Sequence, residues 1–414
     1  MKKGKIIIIN HYGITPDMPG ATKHYDLAKF FAEKGEYSIE FWMCGYNHVT
    51  GKYANGLKGL RLQHKYRENG IDIIKIKSVP DWGGLIMRQL NIMVFDFITG
   101  IKVLFSRNVK CVVLSMPPIT FFTTDALKIR RIKMVADVED LWPLFMQDMG
   151  MKNKIATLYM EHFANHSYNA ATAIEAVSEG MLSYVKKKIR DKSKKCWLSP
   201  LGVNMELVEG TANKEKIKDY RWKDDFVIVY AGAHGKANDL ESVLRTISIF
   251  EKKHQVVNGK KISFVFIGNG DNKEKLKMLA GKLGLRSVYF EEAVPGNIIP
   301  QILMNADVCL TNLKKIESFK LVRPNKIFQY MAAKRPIICG IWGEAQTIVE
   351  GCSAGKYIDF TNYSTAAESM YHFITQENLS EYGENGYKYV SEFGNRKKIF
   401  EDFYINVKEV IRMK

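Results

Sequence analysis

The chain reads as an α/β protein of two domains, each a run of alternating strands and helices, and three observations carry that expectation. Continuous apolar runs of about five residues recur along it, as central parallel strands require when both of their faces are covered. Most of these runs end in a glycine- or proline-containing loop that leads into a segment of helical periodicity. The series also starts afresh near the middle: at 414 residues, 46% of them hydrophobic, the chain exceeds one ordinary α/β core and is apolar enough to bury two.

Taken in order, Lys5-Ile6-Ile7-Ile8-Ile9 is the first strand, and the loop at 10–20 leads into a helix through Tyr25, Leu27, Ala28, Phe30 and Phe31. Further strands are predicted at 38–43, 72–76, 111–114, 133–138 and 172–177. Residues 92–105 are apolar, but they fall short of the roughly 20 residues a membrane span needs and contain Asp96 and Lys102. They are predicted to form a core helix, with one-sided membrane contact as the alternative. The turn Pro200-Leu201-Gly202-Val203-Asn204 precedes a charged, poorly periodic stretch and marks a boundary. Strands then resume at 226–230, 262–267, 288–290, 308–310 and 336–339, with a helix near 240–250 and a helical tail over 378–414. Two domains follow, 1–203 and 204–385, with a helical segment at 386–414. Open sheets of this kind bind ligands at the carboxyl ends of their strands, in a cleft when two domains face one another.

The formal charge is +17, unevenly shared: residues 1–200 hold 30 Lys and Arg against 18 Asp and Glu, a net +12, and the remainder nets +5. The clusters are Lys128, Arg130, Arg131 and Lys133, then Lys186, Lys187, Lys188, Arg190, Lys192, Lys194 and Lys195. Anionic headgroups, a pyrophosphate-bearing lipid acceptor and nucleic acid are the partners such charge suits; a solvated helix face is the alternative. Nucleic acid is disfavoured because no aromatic platform interleaves the clusters. Six scattered cysteines, with no Cys-x-x-Cys pair and no secretory signal, predict a reducing cytoplasm. His162 and His166 lack a third ligand for zinc, and no Gly-x-Ser-x-Gly elbow, phosphate-loop Gly-Lys-Ser/Thr or Asp-x-Asp pair is present.

The most informative stretch is Val322-Arg323-Pro324-Asn325-Lys326-Ile327-Phe328-Gln329-Tyr330-Met331-Ala332. Pro324 and Asn325 suit a helix start, proline because it needs no amide there and asparagine as a cap, and Lys326 sets a cation beside free backbone N–H groups. The spacing predicts a phosphate site, with Ile327, Phe328, Tyr330 and Met331 packed beneath it. This run resembles the donor-binding segment of nucleotide-sugar glycosyltransferases with two Rossmann-like domains (the GT-B fold). More narrowly it resembles the family 4 branch that builds bacterial capsule and O-antigen units, where Pro-Ser-Lys-(Ile/Leu)-(Phe/Tyr)-Glu-Tyr-Met-Ala recurs.

Other segments carry the same resemblance. Tyr230-Ala231-Gly232-Ala233-His234-Gly235-Lys236-Ala237 is similar to the family's Tyr-Ala-Gly-x-His-Gly-Lys-Ala, with Gly232 and Gly235 making room for a diphosphate, Lys236 neutralising it and His234 as a hydrogen-bonding or a structural group. Gly268-Asn269-Gly270 resembles Gly-Asp-Gly, Ser115-Met116-Pro117-Pro118 a Ser-Pro-Pro turn, and Gly343-Glu344-Ala345 a Gly-Glu-Ala element whose Glu344 would meet sugar hydroxyls. Asp140-Leu141-Trp142-Pro143 matches an Arg-Asp-Leu-Trp-Pro element, with Glu139 where arginine or histidine is usual. Asp140 would orient an acceptor or sugar hydroxyl, helix capping being the alternative, and Glu139 is a second candidate base. Gly20 and Ala21 belong to the loop the family places near the transferring sugar. The family's paired glutamates fall at Leu321 and Gln329, so Gln329 would receive the ribose through its amide oxygen, while Glu317 would replace Leu321 only in a differently spaced loop.

The resemblance implies a retaining glycosyltransferase of surface-polysaccharide assembly that takes a nucleotide sugar, a UDP-sugar, and a glycan or polyprenyl-linked acceptor. The first domain would bind the acceptor, the second the donor, and the terminal helix would cross back onto the first. Arg323, Lys236, Lys326 and helix ends would meet the phosphates, and no metal or other cofactor is expected. The expected location is the cytoplasm, with peripheral contact at the inner membrane face. The alternatives are a nucleotide-sugar epimerase of similar fold and an inactive scaffold homologue.

Overall fold

The computed structural model describes residues 3–18, 22–47, 51–54, 56–57, 61–81, 85–118, 120–211, 221–222 and 224–413. The chain divides into two compact units, Met1–Ser199 with Phe400–Lys414, and Pro200–Ile399.

The first unit contains strands β1 (Lys5–Asn10), β2 (Ser38–Cys44), β3 (Tyr46–Asn47), β4 (Lys52–Tyr53), β5 (Gln63–Glu68), β6 (Ile71–Ile76), β7 (Val109–Met116), β8 (Lys133–Val138), β9 (Ala173–Ala176) and β10 (Lys195–Leu198). Its helices are α1 (Lys23–Lys34), α2 (Leu85–Phe105), α3 (Phe121–Ile129), α4 (Leu144–Asp148), α5 (Lys154–Ala170) and α6 (Glu179–Lys188). Eight strands form one sheet in the order β10-β9-β8-β7-β1-β2-β6-β5, with β3 and β4 paired separately. Only β5 runs antiparallel in that sheet. Ile6 to Ile9 are at most 1% exposed, because β1 is central and covered on both faces.

The predicted core helix at 92–105 differs from what the structure shows. Helix α2 begins at Leu85, and only one side of it is covered, with Ile92, Phe95, Thr99 and Val103 buried but Met93, Phe97, Ile101 and Phe105 exposed. Asp96, the charge that seemed out of place, is buried and caps α3: its carboxylate accepts from the amides of Phe122 at 2.7 Å and Thr123 at 3.0 Å. Burial pushes its pKa up to about 6, although these hydrogen bonds favour the charged form.

The second unit contains β11 (Phe226–Ala231), β12 (Val256–Val257), β13 (Lys260–Ile267), β14 (Val288–Glu291), β15 (Val308–Asn312), β16 (Ile337–Gly340) and β17 (Gly355–Tyr357). Its helices are α7 (Met205–Thr211), α8 (Leu240–Lys253), α9 (Lys273–Lys282), α10 (Ile299–Met304), α11 (Asn325–Ala332), α12 (Glu344–Gly351), α13 (Tyr363–Ile374) and α14 (Leu379–Phe393). The sheet order is β12-β13-β11-β15-β16-β17, with β14 also on β13. Alternation divides the core: Val227, Val229 and Ala231 face the layer built with α11, while Phe226, Ile228 and Tyr230 face that built with α8 and α13. Hence β11 is apolar at every position.

The edge strands β5, β10, β12 and β17 were not anticipated, although the sequence marks the first and third of them. Asn69-Gly70 joins β5 to β6 and Asn258-Gly259 joins β12 to β13, and all four residues have positive φ, as two-residue hairpins require.

The tail forms two helices, α14 and then α15 (Arg396–Arg412), separated by Gly394 and Asn395. From Phe400 onward α15 belongs to the first unit. Phe403 is fully buried, with ring centres 6.1 Å from Phe31 and 5.7 Å from Trp197, and Tyr404 lies 4.8 Å from Phe31. Lys34–Glu401 at 2.5 Å and Lys408–Glu36 at 2.8 Å flank this apolar seam. Removing the ring in Phe403→Ala should cost about 3–5 kcal/mol of first-unit stability, read as an earlier denaturant midpoint; a change within error would show that the seam does not hold the helix.

Candidate functional site

In the second unit two loops meet at the carboxyl ends of β11 and β13. The Gly232 amide donates to Ile267 O at 2.9 Å and the His234 amide to Asn269 O at 2.9 Å. The fit is close enough to require glycine. Gly268 has φ +142°, and a Cβ there would lie 2.0 Å from Gly232 O; a Cβ on Gly232, at φ +154°, would lie 2.9 Å from the Lys326 ammonium. Glycine at these two positions lets the loops pack closely and leaves room beside Gly232 for that cation.

Lys326 is the second residue of α11. Its Nζ lies 3.0 Å from the Tyr230 hydroxyl, 3.3 Å from Asn238 Oδ1 and 4.3 Å from the centre of the Tyr230 ring. Tyr230 donates its own proton to Ala233 O at 2.7 Å, which leaves the oxygen free to accept from the ammonium. Among the described residues no carboxylate balances this charge, and desolvation pushes its pKa down to about 7. The first amides of α11 lack intrahelical acceptors, so the same spot carries the positive end of the helix.

Three assignments need correction. Asn325 does not cap α11: Pro324, extended at φ −65° and ψ 136°, holds the cap position without a side-chain hydrogen bond, and Asn325 is the first helical residue, its Oδ1 buried and unpartnered. Arg323 and Glu344 are not separately available to phosphate and sugar. They form a largely buried pair, Nη2 to Oε1 at 2.5 Å and Nε to Oε1 at 2.9 Å. Glu317 does not stand in for the missing glutamate either, since it opens the 3-10 turn Glu317–Leu321 and pairs with Lys320 at 2.8 Å on the surface. Gln329 lies one turn beyond Asn325 and is half-buried.

His234 is fully buried with neither ring nitrogen partnered. Burial first, then the charges of Lys273 and Lys326, push its pKa down to about 4, so the ring is neutral at ordinary pH. Lys236 is exposed on the 3-10 turn Lys236–Asn238. Beside that turn opens a pocket of about 380 Å³ whose lining includes Gly235, Lys236, Asn272, Lys275 and Lys314 but neither Lys326, Gly268 nor Gln329. Lys236 thus faces different space from Lys326. Tyr230 and Asn238 were missed in the sequence, the first hidden as an ordinary strand aromatic and the second as a turn residue.

In the first unit the ends of β8 and β9 and the start of α1 gather a buried charge cluster. Lys23 Nζ lies 3.0 Å from Asp137, 3.2 Å from Glu139 and 3.9 Å from Glu175. Asn10 donates to His24 Nδ1 at 2.8 Å, so His24 Nε2 donates to Asp137 at 2.7 Å. Burial opposes the charge on Asp137, but Lys23 outweighs it and holds the carboxyl below its usual range; burial and that neighbouring anion push Glu175 well above the usual carboxyl range. Ligand atoms of His24, Asp137 and Glu139 lie within 4.8 Å of one another, close enough for a metal ion, yet the Lys23 ammonium already supplies a cation to both carboxylates. Glu139 is therefore engaged. Asp140 accepts from the Leu141 amide at 3.1 Å and from the Trp142 side chain; burial pushes its pKa up to about 7. It does not cap a helix, because Pro143 occupies that position before α4. Gly20 and Ala21 lie outside the described residues.

The depressed pKa of Lys326 has a sign that can be measured. Between about 7 and 10.5 the unfolded chain holds a proton that the folded one has lost, so this group's penalty is full at and below pH 7 and fades as pH rises. Lys326→Met should raise the ligand-free melting midpoint at pH 7, with the gain shrinking toward pH 10. A gain independent of pH would show that the ammonium is not desolvated.

Residues 212–389 match the family Glycosyl transferases group 1. The chain is 21% identical to an uncharacterized glycosyltransferase of Methanocaldococcus jannaschii, over 97% of this chain and 98% of that protein. Among solved structures, the sucrose-phosphate synthase of Thermosynechococcus elongatus superposes with a TM-score of 0.71 at 12% identity, covering 99% of this chain and all of that one. HepE of Anabaena, solved with UDP and glucose, superposes at 0.69 and 13% identity, covering 98% of this chain and all of that one. The fold is thus the GT-B fold of two Rossmann-like units. The family match contains both glycine loops and all of α11, so the Lys326 site lies within the matched residues, and the chain is an enzyme of the glycosyltransferase class.

Proposed function

We propose that the chain transfers a sugar from a UDP-sugar, with retention at the anomeric carbon and without a metal ion, to a glycan or polyprenyl-linked acceptor in bacterial surface-polysaccharide assembly. The observation that carries this reading is the uncompensated Lys326 ammonium at the start of α11. A diphosphate placed there supplies the missing negative charge. As the bond from the sugar to the diphosphate breaks, charge grows on the leaving phosphate, and a fixed cation with free helix amides stabilises it without reorganisation. The Gln329 amide oxygen accepts from a ribose hydroxyl, while Lys236 lines the neighbouring pocket. UDP as the nucleotude moiety is supported by HepE, which was solved with UDP and glucose.

Acceptor handling falls to the first unit in this proposal. The Asp140 carboxyl, held near neutrality and fixed by two hydrogen bonds, orients the attacking hydroxyl. Retention and the polysaccharide role rest on the sequence resemblance. Metal independence is supported by the cations at the phosphate site and by the occupation of the acidic cluster by Lys23. The +12 of residues 1–200 supports a peripheral position on acidic membrane, where a lipid-linked acceptor resides.

UDP should raise the melting midpoint of the wild type more than CDP or GDP does, and Lys326→Met should abolish most of that rise because a charge-assisted hydrogen bond contributes roughly 1.5–3 kcal/mol. An equal rise in the variant would rule out this phosphate site. Transferase activity on a lipid-linked acceptor should persist in a chelator of divalent ions; activity lost there and restored by magnesium would decide against metal independence.

A further inference from the structure

Eleven of the seventeen large hydrophobic side chains exposed among the described residues lie on three helices that pack together in the first unit. On α2, seven of the described side chains are exposed: Ile86, Leu90, Met93, Phe97, Ile101, Phe105 and Arg88. The six hydrophobic ones are spaced by three or four residues, which places them on one stripe about 30 Å long. Phe97 meets Phe122 of α3 with ring centres 5.4 Å apart, Phe121 meets Phe163 of α5 at 4.7 Å, and Phe163 meets Tyr159 at 4.4 Å, so the surface is continuous across the helices. Ile129 is 73% and Ile155 83% exposed at its far parts.

Cations predominate around this surface. Lys128, Arg130 and Arg131 surround Ile129, Arg107 follows Phe105, and Lys152 and Lys154 precede Ile155. The carboxylates of the same helices are engaged: Asp96 caps α3, Asp125 accepts from His166 at 2.8 Å, and Glu161 pairs with Lys188 at 2.6 Å. We propose that this face of α2, α3 and α5 lies in the headgroup region of an anionic lipid membrane, with the stripe of α2 parallel to the surface and the lysines and arginines on lipid phosphates.

Among the described residues no helix is long and apolar enough to cross a membrane, which suits a helix lying in the interface plane. Apart from Arg88 the stripe offers no polar side chain to set the register of a protein partner, whereas a lipid interface needs none. The Lys186–Lys195 cluster is a weaker candidate. Lys188 pairs with Glu161, Lys192 donates to Lys186 O, Lys194 to Tyr168 O and Asn169 O, and Lys195 pairs with Glu409. The inference rests on the proposed peripheral position and supplies its surface.

The test is flotation of the full chain with vesicles of phosphatidylglycerol and phosphatidylcholine, and of phosphatidylcholine alone. The wild type should bind the mixed vesicles about tenfold or more tightly than the neutral ones. Phe105→Ser, Ile129→Ser and Ile155→Ser together should weaken that binding about tenfold or more, while UDP still stabilises the fold, and Lys186→Ala with Lys187→Ala should leave it unchanged. Wild-type binding in the hydrophobic triple variant, no wild-type binding, equal binding to both vesicles, or a dimer that the triple variant splits would each overturn the proposal. Vesicle binding without UDP stabilisation would overturn the donor reading and leave this surface standing.

Discussion

The Lys326 ammonium lies under the Tyr230 ring with no counter-charge among the described residues, and the backbone around it is built to keep it there. Its helix cannot rotate away, because Ile327, Phe328, Tyr330 and Met331 are at most 1% exposed on the other side of α11. The Tyr330 hydroxyl donates to Leu310 O at 3.1 Å and accepts from the Ala231 amide at 3.1 Å, tying α11 to the strand that ends in the glycine loop. Such a cation costs stability in the empty protein, since burial favours its neutral form. The arrangement is preorganised for an anion: the cost falls when the anion arrives, and the helix amides point the same way.

The first unit solves the opposite problem. Lys23 is as buried as any core residue, but three carboxyl groups surround it, and Asp137 also receives His24. A buried charge with this many partners is neutralised internally and has little left for a ligand. The cluster instead fixes the start of α1 against the ends of β8 and β9, immediately before Glu139 and Asp140. The two lysines thus differ in what their neighbours leave undone, and of the pair Lys326 is the one that offers uncompensated charge.

Much of the fold was legible in the sequence because parallel strands covered on both faces are apolar at every position. The runs at Ile6–Ile9 and 226–230 have no polar alternate residue that would suggest a one-sided sheet, and the structure covers both faces of each. The edge strands were harder to recognise. Gln63–Glu68 is polar throughout because an edge needs no buried face, and only Asn69-Gly70 marked it. Helix α2 was misjudged for a related reason: composition reports how apolar a segment is, not which of its faces finds a partner.

By itself the sequence determined the local chemistry, namely glycines where strands end, a proline and a lysine at the start of an amphipathic helix, and an excess of cations in the first half. These are properties of spacing and residue type, which act over a few positions. Tertiary structure decided which charges remain uncompensated. Arg323 and Glu344 are twenty-one positions apart yet cancel, Lys23 is answered from more than a hundred positions away, and Lys326 meets an aromatic hydroxyl ninety-six positions earlier instead of an acid. Electrostatic balance depends on distance in space and on exclusion of water, and neither is set until the strands have ordered themselves into sheets.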